Sequence, residues 1–278
     1  MPEFYEVKRI KNYLKDADIL NQPIKKLVIP EKGLRMFKSH NYHELEQFLV
    51  GNVITDIKTK AKYTLFIFKQ GSMLMHYRFT GIPHVLGKPF TGLLYSIYSL
   101  PIADYQQDYV RFSMRFANKE QLDYVDTRCL SHIHCHFTGQ QFSDYKSTDC
   151  LPDDLDSFHP LPYSQWKSAV QRLSLDLKSY LLQQKYTPSG IGNYLACEIC
   201  HAAQLNPWKK ISSFTQTDYL NLIKGINLVK NFCEDSPHYD WFSVYNREFC
   251  QTCQQKVVKK RHSHAQSQST TYCDFCQK

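Results

Sequence analysis

The sequence predicts an α+β protein with two domains, and three observations carry this prediction. Residues from about 26 to 137 contain short runs rich in aromatic and β-branched residues, which is typical of antiparallel β-strands. From residue 166 onward the apolar residues recur instead at helical spacing. The segment 150–165 between them has three prolines, three aspartates and no lysine or arginine, which indicates a hinge.

The predicted boundaries follow from these changes of pattern. We expect an N-terminal β-sandwich domain with flanking helices over 1–149, an interdomain hinge over 150–165, and a helical domain over 166–240. A cysteine-rich segment, 241–278, completes the C-terminal domain. With 42% hydrophobic residues, the 278-residue chain can supply a core to each domain.

Charge and cysteine usage restrict the class of protein. The net charge of +8 favours an anionic partner, of which nucleic acid is the commonest. No apolar run approaches the roughly 18 residues of a membrane span, and the N-terminus lacks a signal-peptide apolar region. We therefore expect a soluble monomer without membrane association, in a reducing intracellular compartment such as cytoplasm or nucleus.

The N-terminus offers a nucleophile beside a carboxylate. Removal of Met1 would leave Pro2 with a free secondary amine, and an α-amino group has a pKa of about 7.7 to 8.0. Glu3 follows directly and is suited to general acid/base chemistry. The same residues also suit the start of an ordinary amphipathic helix, since Pro and Glu are favoured in a first helical turn.

Seven strands are predicted in the N-terminal domain, which favours an antiparallel sandwich. They span residues 27–29, 53–57, 63–68, 73–79, 93–100, 109–116 and 130–137. In the last of these, His132, His134 and His136 would share one face of the strand. Three imidazoles on a face could bind a metal, but an exposed polar face explains them equally well.

The second domain is predicted to contain helices over 166–185, from 193 to about 205, and over 217–232. Gly190-Ile191-Gly192 separates the first two and allows a tight turn, and the amides at the new helix N-terminus can hold a phosphate. A plain helical hairpin is an alternative. Cys197 and Cys200 would lie on a helix, and we interpret them as apolar helix residues.

Two CxxC pairs close the chain: Cys250 with Cys253, and Cys273 with Cys276. This spacing is typical of a ribbon that holds one structural zinc ion with four thiolates. The two pairs leave no position for His262 or His264 as a ligand. Six basic and two acidic residues in 241–278 also suit a phosphate backbone.

Six segments, taken in order, resemble the formamidopyrimidine-DNA glycosylase / endonuclease VIII family. MPEFYEV is similar to the family's MPELPEVE opening, TKAKYTLFIF to RRAKYLLLEL, and HYRFTG to HLGMSG. DTRCLS is similar to DPRRFG, LPDDL to the GPDPL joining the domains, and GIGNYLACEIC to the helix-two-turns-helix signature GIGNxYxxEIL. The closing YCxxCQ also matches, so the resemblance spans the chain.

The resemblance implies a role for each matching residue. Pro2 would be the nucleophile and Glu3 the acid/base, Glu6 would support catalysis, and Lys62 would lie near the scissile phosphate. Taken without the resemblance, Lys62 is a solvated edge-strand charge, Phe79 a core aromatic and Arg128 a surface residue of a turn. The residues implied to contact DNA are Phe79, Arg128, Leu130, Asn193 and Gln268.

Four positions depart from the family pattern, the first being Phe4, which stands where the family has leucine or glycine. Tyr5 replaces a second proline, Leu130 stands where a phenylalanine wedges into the base stack, and Gln268 stands where an arginine contacts phosphates. The arginine's role would be lost, weakened to neutral hydrogen bonds, or taken by Arg261, His262 or His264. Glu198 matches an acidic residue that we expect to be structural.

The function predicted is that of a bifunctional DNA glycosylase / AP lyase of base-excision repair. It would excise oxidised bases, mainly pyrimidines, through a proline Schiff base and β,δ-elimination, with damaged DNA in a basic cleft between the domains. Few spare residues lie between the last predicted helix and Cys250, where family members that capture 8-oxoguanine carry a glycine-rich loop, and this favours the endonuclease VIII branch. Leu130 with Gln268 suggests activity on bubble or single-stranded DNA besides duplex. The alternative is a non-enzymatic nucleic-acid-binding protein that uses only the helices and the ribbon. A metal-dependent nuclease would need a carboxylate cluster that the sequence lacks.

Overall fold

The computed structural model describes residues 2–37, 40–88, 107–186, 188–235, 239–261 and 268–278. The chain forms two compact units, residues 1–150 and residues 151–278, called here the N-terminal and C-terminal units. Strands fill the first unit and helices the second, as the predicted α+β class requires.

Two four-stranded sheets, antiparallel throughout, build the N-terminal unit. One has the order β1 (Ile24–Val28), β6 (Val110–Phe116), β7 (Gln121–Asp126), β5 (Gly81–Val85). The other has the order β2 (Ile54–Lys60), β3 (Tyr63–Phe68), β4 (Ser72–His76), β8 (His132–His136). The predicted β-sandwich is thereby confirmed.

Helix α1 (Phe4–Lys15) packs against this sandwich. Its residues Val7, Ile10 and Leu14 are fully buried and join a core cluster to which both sheets contribute. These three residues recur at helical spacing in the sequence, so they form one apolar face of the helix. The packing holds the first residues of the chain firmly against the N-terminal unit.

Three short helices accompany the strands in the described part of the N-terminal unit. They are α2 (Glu31–Leu34), α3 (Tyr42–Leu49) and α4 (Lys146–Asp149), the last in the segment after β8. The sequence prediction placed neither a strand nor a helix over 31–49. Helix α3 begins there because Asn41 and Glu44 form a capping box, each side chain accepting from the other's backbone N–H.

The sequence prediction missed strands β5 and β7. Strand β5 contains Pro83, which a sheet tolerates here because β5 is an edge strand. Strand β7 contains buried Asp123 and Asp126, which mask its apolar alternation. The predicted strand 73–79 ends at His76, before Arg78 with its left-handed φ of 52°. The predicted strand 93–100 lies outside the described residues.

Four helices form most of the C-terminal unit: α5 (Tyr163–Val170), α6 (Leu177–Leu182), α7 (Asn193–Ala202) and α8 (Gln216–Asp235). The single helix predicted over 166–185 is two helices. The Asp176 side chain accepts from the Ser179 N–H and starts α6 afresh, and such caps favour a helix start over continuation.

The C-terminal unit ends in a ribbon of two antiparallel strands, β9 (Val258–Arg261) and β10 (Ser269–Tyr272). Helix α7 packs against β10 and α8. Within the described ranges, no helix is long and apolar enough to cross a membrane.

Candidate active site and nucleic-acid interface

The start of α1 brings Pro2, Glu3 and Glu6 into the interior of the N-terminal unit. All three are buried, and Glu3 is the N-cap of the helix. The Glu3 N–H donates to Glu6 Oε2 over 2.6 Å, and the Glu3 carboxylate accepts from the Glu6 N–H. This reciprocal pair fixes both carboxylates at the positive end of the helix.

Lys62 lies close to these two carboxylates. It occupies the turn between β2 and β3, where Ala61 adopts a left-handed φ of 53°. Its side chain is only 5% exposed, so the interpretation as a solvated edge charge is wrong. Burial lowers the pKa of Lys62 to about 8, although the nearby charges of Glu3 and Glu6 oppose the shift.

A buried lysine with a pKa near neutrality, beside two carboxylates, is an arrangement suited to proton transfer. Pro2 directly precedes one of these carboxylates in the chain. The structure thus brings Pro2, Glu3 and Glu6, at the start of the chain, together with Lys62 in one part of the N-terminal unit. All four were predicted to take part in catalysis.

His76 belongs to the same region and was missed by the sequence prediction. It ends β4, paired across the sheet with Tyr63 and with His132. Burial, followed by the charges of Arg78, Lys62 and His132, lowers the pKa of His76 to about 3. The ring is therefore neutral near pH 7. Its position at the start of the HYRFTG segment, three residues before Phe79, could have indicated from the sequence that His76 belongs to the site.

Three of the residues predicted to contact DNA are exposed on the N-terminal unit. Phe79 is 37% exposed and Leu130 is 39% exposed, so Phe79 is no core aromatic. The Arg128 guanidinium carbon lies 5.0 Å from the centroid of the Phe79 ring. Such stacking presents an apolar and a cationic group side by side.

Asp126, which sequence reasoning also missed, builds the loop that carries Arg128 and Leu130. Its fully buried carboxylate accepts from the backbone N–H groups of four consecutive residues at 2.9–3.1 Å, and from the Ser131 hydroxyl at 2.7 Å. The four are Arg128, Cys129, Leu130 and Ser131. The Thr80 hydroxyl donates to it as well. The aspartate of DTRCLS was visible in the sequence, but its carboxylate's partners are set only by the fold.

In the C-terminal unit, Asn193 is the first residue of α7, after a turn in which Gly190 has a φ of 92°. Its Nδ2 donates to the carbonyl of Ser269 over 3.3 Å, while its buried Oδ1 has no hydrogen-bond partner. Gln268 is partly exposed and directly precedes β10. Asn193 on α7 therefore contacts the ribbon at Ser269, the residue next to Gln268.

The same strand is anchored by a buried lysine. Lys178 Nζ donates to the Ser269 carbonyl over 3.1 Å and to Thr270 Oγ1 over 2.9 Å. Lys178 is completely buried, and these contacts satisfy its charge in part. They fix the start of β10 next to Gln268.

Glu198 has the structural role expected for it. Its carboxylate accepts backbone N–H bonds from Ser243, Val244 and Tyr245 at 2.7–3.0 Å. Burial raises the pKa of Glu198 to about 7, against the lowering by these donors and by Arg247. Glu198 thereby holds the chain that leads into the ribbon.

The four cysteines of the ribbon converge. Their sulfur atoms all lie within 4.8 Å of one another, with Cys250 3.9 Å from Cys276 and Cys253 3.4 Å from Cys273. Tetrahedral zinc–thiolate bonds of about 2.3 Å imply sulfur separations of about 3.8 Å, so the cluster fits a metal ion. All ten cysteines of the chain are free.

Across the residues that the structure describes, this is the only cluster of three or more His, Cys, Asp or Glu with metal-binding geometry. His132, His134 and His136 do not form one, so the metal site considered on β8 is not supported. His262 and His264 lie outside the described residues. The arrangement defines a class: a two-domain α+β protein with a buried N-terminal carboxylate–lysine site and a four-cysteine ribbon.

Comparison with known proteins shows which family the chain resembles. The sequence-family model of the formamidopyrimidine-DNA glycosylase N-terminal domain matches residues 1–133 of this chain. A formamidopyrimidine-DNA glycosylase from Rickettsia africae is 25% identical over 300 residues, covering 100% of this chain and 99% of that protein.

Solved structures share the fold. A Lactococcus lactis Fpg bound to DNA containing an abasic site has a TM-score of 0.81 at 19% identity, with 100% of both chains covered. Wild-type L. lactis Fpg (MutM) bound to DNA containing an oxidised pyrimidine has a TM-score of 0.80 at 20% identity, with 99% of both chains covered. The chain is therefore similar to formamidopyrimidine-DNA glycosylases along its whole length, and its residues 1–133 match the N-terminal domain of that family.

Proposed function

We propose that this protein is a bifunctional DNA glycosylase / AP lyase of base-excision repair that excises oxidised bases, mainly pyrimidines. The similarity to formamidopyrimidine-DNA glycosylases supports the glycosylase class and damaged DNA as the partner. The observation that carries the proposal is the buried Lys62, with its pKa lowered to about 8, beside Glu3 and Glu6 at the start of α1. An ordinary N-terminal helix has no need of a buried lysine facing two carboxylates.

The reaction begins at Pro2, once removal of Met1 has freed its amine. The nitrogen of Pro2 attacks C1′ of the deoxyribose and the glycosidic C1′–N bond breaks. The Pro2 nitrogen loses its N–H proton in this step, and the leaving base takes up that proton. Glu3 donates a proton to the ring oxygen O4′ as the sugar opens, which leaves a charged iminium between Pro2 and C1′.

Strand cleavage follows from the iminium. It acidifies the C2′ protons, so loss of one breaks the C3′–O bond and releases the 3′ phosphate by β-elimination. A second elimination breaks the C5′–O bond and releases the other phosphate. Each step transfers a proton that Glu3 can hold between steps, and Glu6 supports Glu3 through the hydrogen bonds of the capping box.

Lys62 supplies positive charge for the phosphate at the scission point, since a lysine ammonium is a compact point charge with three donors. On the C-terminal unit, Asn193 and Gln268 provide neutral hydrogen-bond donors for DNA phosphates. The exposed basic residues of β9 add positive charge there. Phe79, Arg128 and Leu130 would occupy the gap left when the damaged base turns out of the helix.

We assign the protein to the endonuclease VIII-like branch. Only 14 residues separate the end of α8 at Asp235 from Cys250, which leaves little room for a base-capturing loop. The exposed Leu130 wedges less well than an aromatic ring, and Gln268 carries no charge. Bubble and single-stranded DNA are therefore proposed as substrates beside duplex DNA.

The four cysteines are proposed to hold one structural zinc ion per chain, because four thiolates leave no open position for water or substrate. Thiolates of this kind persist in a reducing compartment, which agrees with ten free cysteines. The protein would act there as a monomer.

Borohydride trapping tests the mechanism. An oligonucleotide with 5,6-dihydrothymine or an abasic site should give a covalent protein–DNA band with the protein lacking Met1, confirmed by intact mass. Pro2→Gly should weaken the band strongly, and Glu3→Gln should reduce base excision. Glu31→Gln, an exposed glutamate on α2, is the matched control and should leave the band unchanged.

One result would contradict the proposed enzymatic function and favour a non-enzymatic nucleic-acid-binding protein. If protein lacking Met1 binds damaged DNA tightly but gives no covalent band and no cleavage, the helices and ribbon serve only for nucleic-acid binding.

A further inference from the structure

One face of helix α7 runs along the ribbon. Asn193, Cys197 and His201 follow one another at intervals of four residues, which places them on the same side of a helix. Asn193 contacts the Ser269 carbonyl, and Cys197 Sγ accepts the Thr271 N–H at 3.5 Å. The third residue, His201, meets a sulfur of the four-cysteine cluster.

The contact of His201 is close and enclosed. Its Nε2 lies 3.2 Å from Cys250 Sγ, within hydrogen-bond distance for a sulfur acceptor. His201 is 6% exposed and Cys250 is fully buried. Since a buried ring N–H needs an acceptor, the thiolate is the partner that the structure provides.

A metal-bound thiolate keeps negative charge on sulfur, and a hydrogen bond to it is charge-assisted. Donors beside the ligands orient them and commonly change metal affinity. We propose that His201 is a positioning residue of the four-cysteine metal site, whose Nε2–H donates to the Cys250 thiolate and slows loss of the metal. This function requires a metal at the cysteines but not the glycosylase reaction.

His201 is assigned beside the metal and not on it. The four sulfur atoms already converge within 4.8 Å of one another, which completes a tetrahedral set. An imidazole bound directly to the metal would have to displace Cys250. The two arrangements give different spectra, so the test can separate them.

Metal release measures the contribution of the hydrogen bond. Zinc-loaded protein is mixed with a chromogenic chelator, and the release rate is compared between wild type, His201→Phe and His201→Gln. We expect release on the order of 10-fold faster in His201→Phe, which removes the donor but keeps a ring. His201→Gln keeps an N–H donor and should lie closer to wild type. His159→Phe, an exposed histidine of the same unit, is the control.

A second measurement needs no substitution and so does not depend on the variants folding. In wild-type protein loaded with ¹¹³Cd, the Hε2 proton of His201 should show scalar coupling to the metal through the Cys250 sulfur, with a cadmium shift typical of four thiolates. Unchanged release from folded His201→Phe, absence of the coupling, or a shift showing a directly bound imidazole would each overturn the proposal.

Discussion

The guanidinium of Arg128 lies over the ring of Phe79, 5.0 Å from its centroid, although the two residues are 49 positions apart in the chain. Neither is needed by the core, since Phe79 is 37% exposed and Arg128 is exposed. A cation–π contact at an exposed site contributes only about 0.5–1 kcal/mol to stability. The pair thus contributes little to folding, which is consistent with the contact with DNA proposed for it.

Phe79→Ala should reduce excision of the damaged base while leaving the protein folded. Loss of one stacking contact of about 1–3 kcal/mol corresponds to a fall in kcat/KM of roughly 5- to 150-fold. Single-turnover excision of 5,6-dihydrothymine, with thermal unfolding alongside, checks this. Phe232→Ala, which truncates an aromatic side chain of similar exposure in the C-terminal unit, should leave excision unchanged. Equal rates for Phe79→Ala and wild type would remove Phe79 from the proposed interface.

Asp126→Asn should disturb the loop that presents Arg128 and Leu130. The amide would turn an NH₂ group toward backbone N–H donors that now share two carboxylate oxygens, so at least one buried donor would lose its partner. We expect a loss of about 1–3 kcal/mol in the free energy of unfolding, measured by urea denaturation. Asp149→Asn changes an exposed aspartate and serves as the control.

Excision by Asp126→Asn should also fall, because the loop no longer holds its two exposed side chains in place. An unchanged excision rate in a destabilised variant would show that the loop geometry matters for folding alone.

The lowered pKa of Lys62 predicts that activity falls at alkaline pH. Burial lowers the pKa of Lys62 to about 8, so the ammonium loses its proton there and not near the ordinary value of 10.5. Strand cleavage at an abasic site should therefore decline as the pH rises through about 8. Lys62→Arg keeps its charge and should move this decline upward, whereas Lys62→Met should reduce cleavage at every pH.

Rates of borohydride trapping, measured from pH 6 to 10 for wild type and the Lys62 variants, separate the contribution of Lys62 to the pH dependence from that of the Pro2 amine. If the alkaline decline stays in place in Lys62→Arg, another group is responsible for it. Lys58→Arg, at a solvent-exposed position on β2, controls for the exchange of lysine for arginine.

The sequence predicted the sandwich, helix α1 and the four-cysteine ribbon because each depends on local spacing. Helix α3 could also have been found, since Asn41 and Glu44 are three residues apart, as in a capping box. Other features could not, because they come from distant parts of the chain. The burial of Lys62 depends on α1 packing against β2 and β3, and the contact of His201 with Cys250 joins residues 49 positions apart.

Acid should destabilise the N-terminal unit through His76. Its pKa is lowered from 6.5 to about 3 in the folded protein, so between these values the unfolded chain binds more protons. The stabilisation is present above pH 6.5 and is lost as the pH falls. At pH 5 the loss would be about 2 kcal/mol relative to pH 7.

His76→Gln removes this titration. Its free energy of unfolding should depend less on pH between 7 and 5 than that of wild type, whereas His43→Gln, on the exposed face of α3, should behave like wild type. Parallel pH profiles for His76→Gln and wild type would show that His76 is protonated at no cost in the folded state.

The wedge position offers a test of strand preference. Leu130 is 39% exposed and, as an aliphatic side chain, stacks weakly on bases, so it gains little from entering an intact base stack. Leu130→Phe should raise excision from matched duplex DNA by about 3- to 10-fold, since a stacked aromatic adds roughly 1 kcal/mol or more. Excision from single-stranded DNA should stay the same, because there is no opposite base stack to open.

Rates on matched duplex, bubble and single-stranded substrates measure both effects. A strict preference of the wild-type protein for duplex DNA would exclude bubble and single-stranded substrates, and an unchanged duplex rate in Leu130→Phe would show that residue 130 does not enter the stack.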